Sequence, residues 1–147
     1  MKIYADTSVL LAWFYPADAF APAVTQWLRN AGPDFIWNIF LRAELRHNLR
    51  KLTDEYGVVA WQAYRASEAA RRLTPGRDSA HEILEWADEM SARHAAKTVC
   101  GTWDCVHVAA ALHSKPDVFA TCDTAQAELA RLVGIRKIKL FKSDKKL

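Results

Sequence analysis

The sequence predicts an α/β fold in which helices cover both faces of a mostly parallel sheet. Short β-prone runs alternate with helix-length amphipathic segments, the pattern of parallel strands joined by crossover helices. Only 5 Gly and 5 Pro occur in 147 residues, too few turn residues for an all-β fold. The composition is 51% hydrophobic and 25% charged, which is globular, and the length suits one domain that buries its own core.

Lys2-Ile3-Tyr4-Ala5 reads as a strand ending at Asp6-Thr7-Ser8. Residues 9–14 form a brief helix that ends before Pro16. A second helix has Pro22 near its start, runs to Asn30 and is stopped by Gly32-Pro33. Phe35-Ile36-Trp37 is a second strand, and residues 40–52 are a helix with Leu41, Leu45, Leu49 and Leu52 at core spacing. From Thr53 a long amphipathic segment carries Val58, Trp61, Ala66, Ala69 and Leu73 as far as Pro75-Gly76. Ser79-x-x-Glu82 is a capping-box pattern opening a helix over 80–96. Another helix spans 103–114, ending before Pro116. Residues 118–121 are β-prone and lead to Asp123, then comes a helix to Leu132 with Gly134 as its cap. Residues 138–141 are a last strand, so the domain covers 1–141 and 142–147 are a polar basic tail.

Several function classes are excluded. Lys+Arg 20 against Asp+Glu 17 is a net +3, which permits a nucleic-acid partner without demanding one. No uncharged stretch approaches the ~18 residues of a membrane span. Asp6 interrupts what would be the apolar part of a signal peptide, and the cysteines (Cys100, Cys105, Cys122) are odd in number with no CxxC. A cytoplasmic protein without a membrane role is expected. There is no GxGxxG, Walker A or GxSxG motif, and His81-Glu82-Ile83-Leu84-Glu85 lacks the second histidine of HExxH. Cys100, Cys105, His107 and His113 fit no standard zinc spacing, and the cysteines read as small buried hydrophobes.

What remains is a distribution of acids. Asp6 and Asp123 each follow a strand, at the carboxyl ends where α/β sheets bind ligands, and each is also placed to cap a helix. Glu44 lies on the shoulder of the leucine face of its helix, a costly place for an unpaired carboxylate; Asn48, four residues on, is within reach. Asp104 is the one charge on the inward side of an otherwise small and apolar helix, near its positive end. Arg42, Arg46 and Arg50 make a stripe on the opposite shoulder from Glu44, suited to phosphates or to plain solvated surface.

Four stretches, IYADTSVLLAWF, RAELRHNLRK, WDCVHVAAAL and VFATCD, together resemble the PIN-domain ribonucleases, most closely the VapC-type toxins of toxin–antitoxin pairs. The resemblance implies a three-layer α/β/α sandwich whose acidic quartet is Asp6, Glu44, Asp104 and Asp123. It implies Mg²⁺ or Mn²⁺ held by Asp6, Asp104 and Asp123, with Glu44 orienting water or metal. Thr7, Ser8 and Thr121 match the supporting hydroxyls, and Arg42, Arg46 and Arg50 would hold RNA. The implied activity is metal-dependent endoribonuclease, with a VapB-like antitoxin as partner and a homodimer as the assembly. One departure is Thr-Ala-Gln after Asp123, where many relatives carry an apolar or aromatic residue two or three positions on. Residues 53–96 match no motif.

Two other readings compete. A non-catalytic PIN-like RNA-binding or scaffold domain would have lost ligands, whereas four acids are present. A signalling receiver would want an adjacent acidic pair early in the chain, whereas Asp6 stands alone. If the four acids converge, mutual repulsion should raise the pKa of at least one.

Overall fold

The computed structural model describes residues 1–73 and 75–143, so the last residues of the basic tail, 144–147, lie outside it. The order of elements is β1 (Lys2–Ala5), α1 (Thr7–Phe14), α2 (Ala21–Ala31), β2 (Asp34–Phe35), α3 (Ile39–Arg50), α4 (Glu55–Ala69), α5 (Ala80–His94), α6 (Thr102–Ser114), β3 (Val118–Thr121), α7 (Thr124–Leu132) and β4 (Ile138–Leu140). A single 3-10 turn, Ala95–Lys97, follows α5. The four strands are all parallel, in the order β2-β1-β3-β4, and the fold is a three-layer α/β/α sandwich.

The strands are apolar because both faces of the sheet are covered: Ile3, Tyr4 and Ala5 on β1 and Phe119 and Ala120 on β3 are buried. From β1 the chain moves outward to β2, then returns to place β3 on the other side of β1. Strand order therefore reverses between β1 and β3, and the crevice above their carboxyl ends is the place for a ligand site.

Capping side chains fix where helices begin. Asp6, Asn38, Asp54, Ser79 and Asp123 each accept a hydrogen bond from a first-turn backbone N–H of α1, α3, α4, α5 and α7. Leu41, Leu45 and Leu49 are the buried face of α3. On α6, residues 105–111 are all buried, and their small side chains let that helix pack closely against α5.

Two expectations shift. The second strand is Asp34–Phe35; Trp37 is buried beyond its end and leads into the Asn38 cap. The segment opening at Thr53 is helical only from Glu55 to Ala69, because the chain turns at Arg71 with φ +57°, a left-handed conformation that no helix continues through. Helix α6 ends at Ser114, as expected, with Lys115 left-handed at φ +50° just before Pro116. Among the described residues no helix is long and apolar enough to cross a membrane.

Candidate active site

Asp6 sits at the switch point. It is buried, and its place follows from β1 ending there: the Asp6 N–H still bonds to the Ala120 carbonyl at 3.0 Å, while its side chain caps α1. Oδ1 accepts from the Ser8 hydroxyl at 2.5 Å and the Val9 N–H at 3.1 Å; Oδ2 accepts from the Thr121 hydroxyl at 2.5 Å. Ser8 Oγ also accepts the Cys122 N–H at 3.0 Å, lacing the start of α1 to the end of β3. Burial pushes the Asp6 carboxyl up, against the opposing hydrogen bonds from Ser8 and Thr121.

Glu44 is reached from two other elements. The Thr7 hydroxyl donates to Oε2 at 2.5 Å, and His107 Nε2 on α6 makes a short hydrogen bond to the same oxygen. Asn48, the intrahelical partner within reach by spacing, does not take it up. Partial burial works to raise the Glu44 carboxyl, but the bonds from His107 and Thr7 outweigh it, so the group lies below the usual carboxylate range.

Asp104 and Asp123 are joined through one residue, Gln126. Asp104, in the first turn of α6, reaches back to the Gly101 N–H at 2.9 Å. Gln126 on α7 donates from its side chain to Asp104 Oδ1 at 3.3 Å and from its backbone N–H to Asp123 Oδ1 at 3.1 Å. Its Oε1 lies 3.1 Å from the Thr121 hydroxyl, which accepts the Asp123 N–H at 2.9 Å. Asp123 itself is exposed. The Asp104 carboxyl is raised, first by partial burial and further by the charges of Asp123 and Glu44. Burial is thus the main cause at both Asp6 and Asp104, and repulsion among acids adds to it at Asp104.

The donor set suits a hard divalent cation in kind: every candidate ligand is a carboxylate oxygen. Among the described residues no Lys or Arg pairs with any of the four acids, and the one basic side chain on them is His107 at Glu44. As the side chains stand, no three His, Cys, Asp or Glu groups among the described residues close into a ready ligand cluster. Asp6, Glu44, Asp104 and Asp123 share one end of the sheet; Asp104 feels both Glu44 and Asp123.

The arginine stripe is engaged elsewhere. Arg42 Nε lies 3.4 Å and Arg46 Nη2 3.8 Å from Glu68 of α4. The Arg46 guanidinium stands over the Trp61 and Tyr64 rings, at 5.6 and 6.0 Å, and Arg50 over Trp61 at 5.2 Å. Glu68 also accepts from the Tyr64 hydroxyl and forms an ion pair with Arg65. A stripe wholly open to solvent, as the helical spacing alone allows, is therefore corrected: its inner part is the α3–α4 contact. Sequence reading missed His107, Gln126, Tyr4 and Asn38. The signal for His107 was a lone imidazole in the buried, otherwise apolar run of α6.

A parallel α/β/α domain with acids gathered at its switch point is the class that fold and site define. Residues 3–132 match the family model described as PIN domain, and the chain belongs to that family, whose members are generally nucleases that use divalent metal ions. Two solved structures share the fold. One is FitAcB from Neisseria gonorrhoeae, 19% identical with a TM-score of 0.62, the match covering 95% of this chain and 96% of that one. The other is VapBC2 from Rickettsia felis bound to a DNA fragment from their promoter, 14% identical with a TM-score of 0.62, covering 98% and 100%. No curated protein matches the sequence.

Proposed function

We propose that the protein is a metal-dependent endoribonuclease and the toxin of a toxin–antitoxin pair. The observation that carries this is the set of four carboxylates at the switch point with no Lys or Arg partner among the described residues. Asp6, Asp104 and Asp123 would hold Mg²⁺ or Mn²⁺, with Glu44 beside them. Such an ion, when bound, activates water and neutralises charge on the leaving oxygen. The chain's own part is positioning. Ser8 and Thr121 fix Asp6, Thr7 holds Glu44, and Gln126 spans Asp104 and Asp123.

Single-stranded or loop RNA is the substrate, because its phosphodiesters are open to a surface crevice. Arg42, the most exposed of the stripe that pairs with Glu68, and the outlying Arg50 are the side chains proposed to meet phosphates; Arg46 backs them. The likeness to the FitAcB and VapBC2 structures supports a VapB-like antitoxin partner, and a cytoplasmic homodimer is the working form. The test is cleavage of labelled single-stranded RNA by the purified protein. Cutting with Mg²⁺ that EDTA abolishes supports the proposal, and cutting that persists in EDTA refutes the metal mechanism.

A further inference from the structure

Behind Glu44 stands a line of buried polar groups for which the four-carboxylate scheme has no use: His107, Tyr4 and Asn38. Burying such groups is costly unless their hydrogen bonds are made, and here they are. Asn38 Oδ1 accepts the Leu41 N–H at 2.9 Å, which directs its amide N–H₂ to the Tyr4 oxygen at 3.1 Å. The ionised Glu44 Oε2 can only accept from Nε2, so in the neutral ring Nδ1 is the acceptor and takes the hydrogen of the Tyr4 hydroxyl, 3.0 Å away. With Nδ1 accepting, the ring hydrogen belongs on Nε2, which faces Glu44 Oε2. Thr7 donates to that same oxygen, so Oε2 holds two donors, while Oε1 has none among the described residues.

We propose that His107 is the positioning residue for Glu44: its Nε2–H, held in that tautomer by Tyr4 and Asn38, pins Oε2 and leaves Oε1 as the oxygen free to act. This rests on reading Glu44 as part of the metal site, and adds what orients it. Its neighbours along α6 are Cys, Val and Ala, so the imidazole is there for its two polar contacts, Tyr4 on one side and Glu44 on the other.

Two substitutions of similar polarity separate the roles. In His107→Gln the amide N–H₂ ends near the position of Nε2 and can still reach Glu44. In His107→Asn it ends near Nδ1, where it can meet Tyr4 but stops short of Glu44. Mn²⁺ affinity by titration calorimetry and RNA cleavage rate are measured for both. His107→Asn should lose roughly 10–100-fold in each, the usual cost of removing a supporting group around a metal site, and His107→Gln should recover to within a few-fold of wild type. Equal losses, or no loss in either, overturn the proposal. Should the variants fail to fold, ¹⁵N-labelled wild type still decides it. Long-range ¹H–¹⁵N correlations should give His107 a protonated Nε2 and a bare Nδ1, with Tyr4→Phe releasing a mixture; an Nδ1–H tautomer in wild type overturns it. Wild-type protein that neither binds Mn²⁺ nor cuts RNA refutes the nuclease reading, while the tautomer result stands on its own.

Discussion

The hydroxyl of Thr121 at the end of β3 donates to Asp6 Oδ2, 2.5 Å away at the end of β1, joining the two central strands where their order reverses. That bond makes Asp6 both a helix cap and a clamp between strands. Asn can accept at Oδ1 from Ser8 and Val9 much as Asp does, and caps nearly as well.

Asp6→Asn should therefore abolish cleavage without unfolding the protein. Burial raises the folded-state pKa of Asp6, so its ionised form weakens the fold above that pKa, and the penalty is relieved as pH falls through it. In EDTA at neutral pH the Asn variant should melt at or above the wild-type temperature, with the gap closing toward acid pH. Added Mg²⁺ should raise the wild-type midpoint more than the variant's. A clear drop for the variant in EDTA would make Asp6 chiefly a structural carboxylate.

Glu44 carries the opposite sign. Its folded pKa is lowered despite burial, because His107 and Thr7 donate to it, so it adds stability above its unfolded pKa that is lost as pH falls through the folded value. Glu44→Gln should lose about 1 kcal/mol at neutral pH and little at acid pH, by urea melts at both. Equal loss at both would mean the charge plays no part.

Arg46 and Arg42 should differ. Arg46 stands over Trp61 and Tyr64 and pairs with Glu68, so Arg46→Gln should cost ~1–2 kcal/mol of stability. Arg42 is more exposed, and Arg42→Gln should cost ~0–1 kcal/mol while lowering RNA affinity and flattening its salt dependence. Unchanged affinity for Arg42→Gln returns that side chain to plain surface.

Gly57 is a position where Ala should harm a helix. By propensity alone Ala in place of Gly gains ~1 kcal/mol. Here an added Cβ would lie 2.4 Å from the Leu52 carbonyl oxygen and 2.6 Å from its Cβ, where the chain enters α4. Gly57→Ala should lower stability by ~1–3 kcal/mol, the range of an overpacked core, as read by thermal melts. A stabilised variant would show that the Leu52 turn relaxes freely.

Much of the fold was legible because its signals are local. The alternation of β-prone and amphipathic runs, the Asp6, Ser79 and Asp123 caps and the apolar run of α6 are each contained within one element. The four acids were legible through their place in four short stretches, not through any spacing among them. Pairings between elements were not. His107 and Glu44 are 63 residues apart, Gln126 and Asp104 22 apart, and Arg42 and Glu68 26 apart. Periodicity says which face of a helix is buried, but not which helix it meets. That is why the arginine stripe read as surface and Glu44 was matched to Asn48. The end of α4 was missed for a related reason: a left-handed Arg71 has no signature in composition.

If the carboxylates at the switch point cut RNA, Asp104→Asn tests it most directly. The substitution keeps both oxygen-sized ends and a partner for the Gly101 N–H, so circular dichroism and melting should stay close to wild type. Cleavage of single-stranded RNA in Mg²⁺ should fall by about 100-fold or more, beyond the usual loss for an orienting residue. Undiminished cleavage by a folded Asp104→Asn protein would contradict the four-carboxylate site.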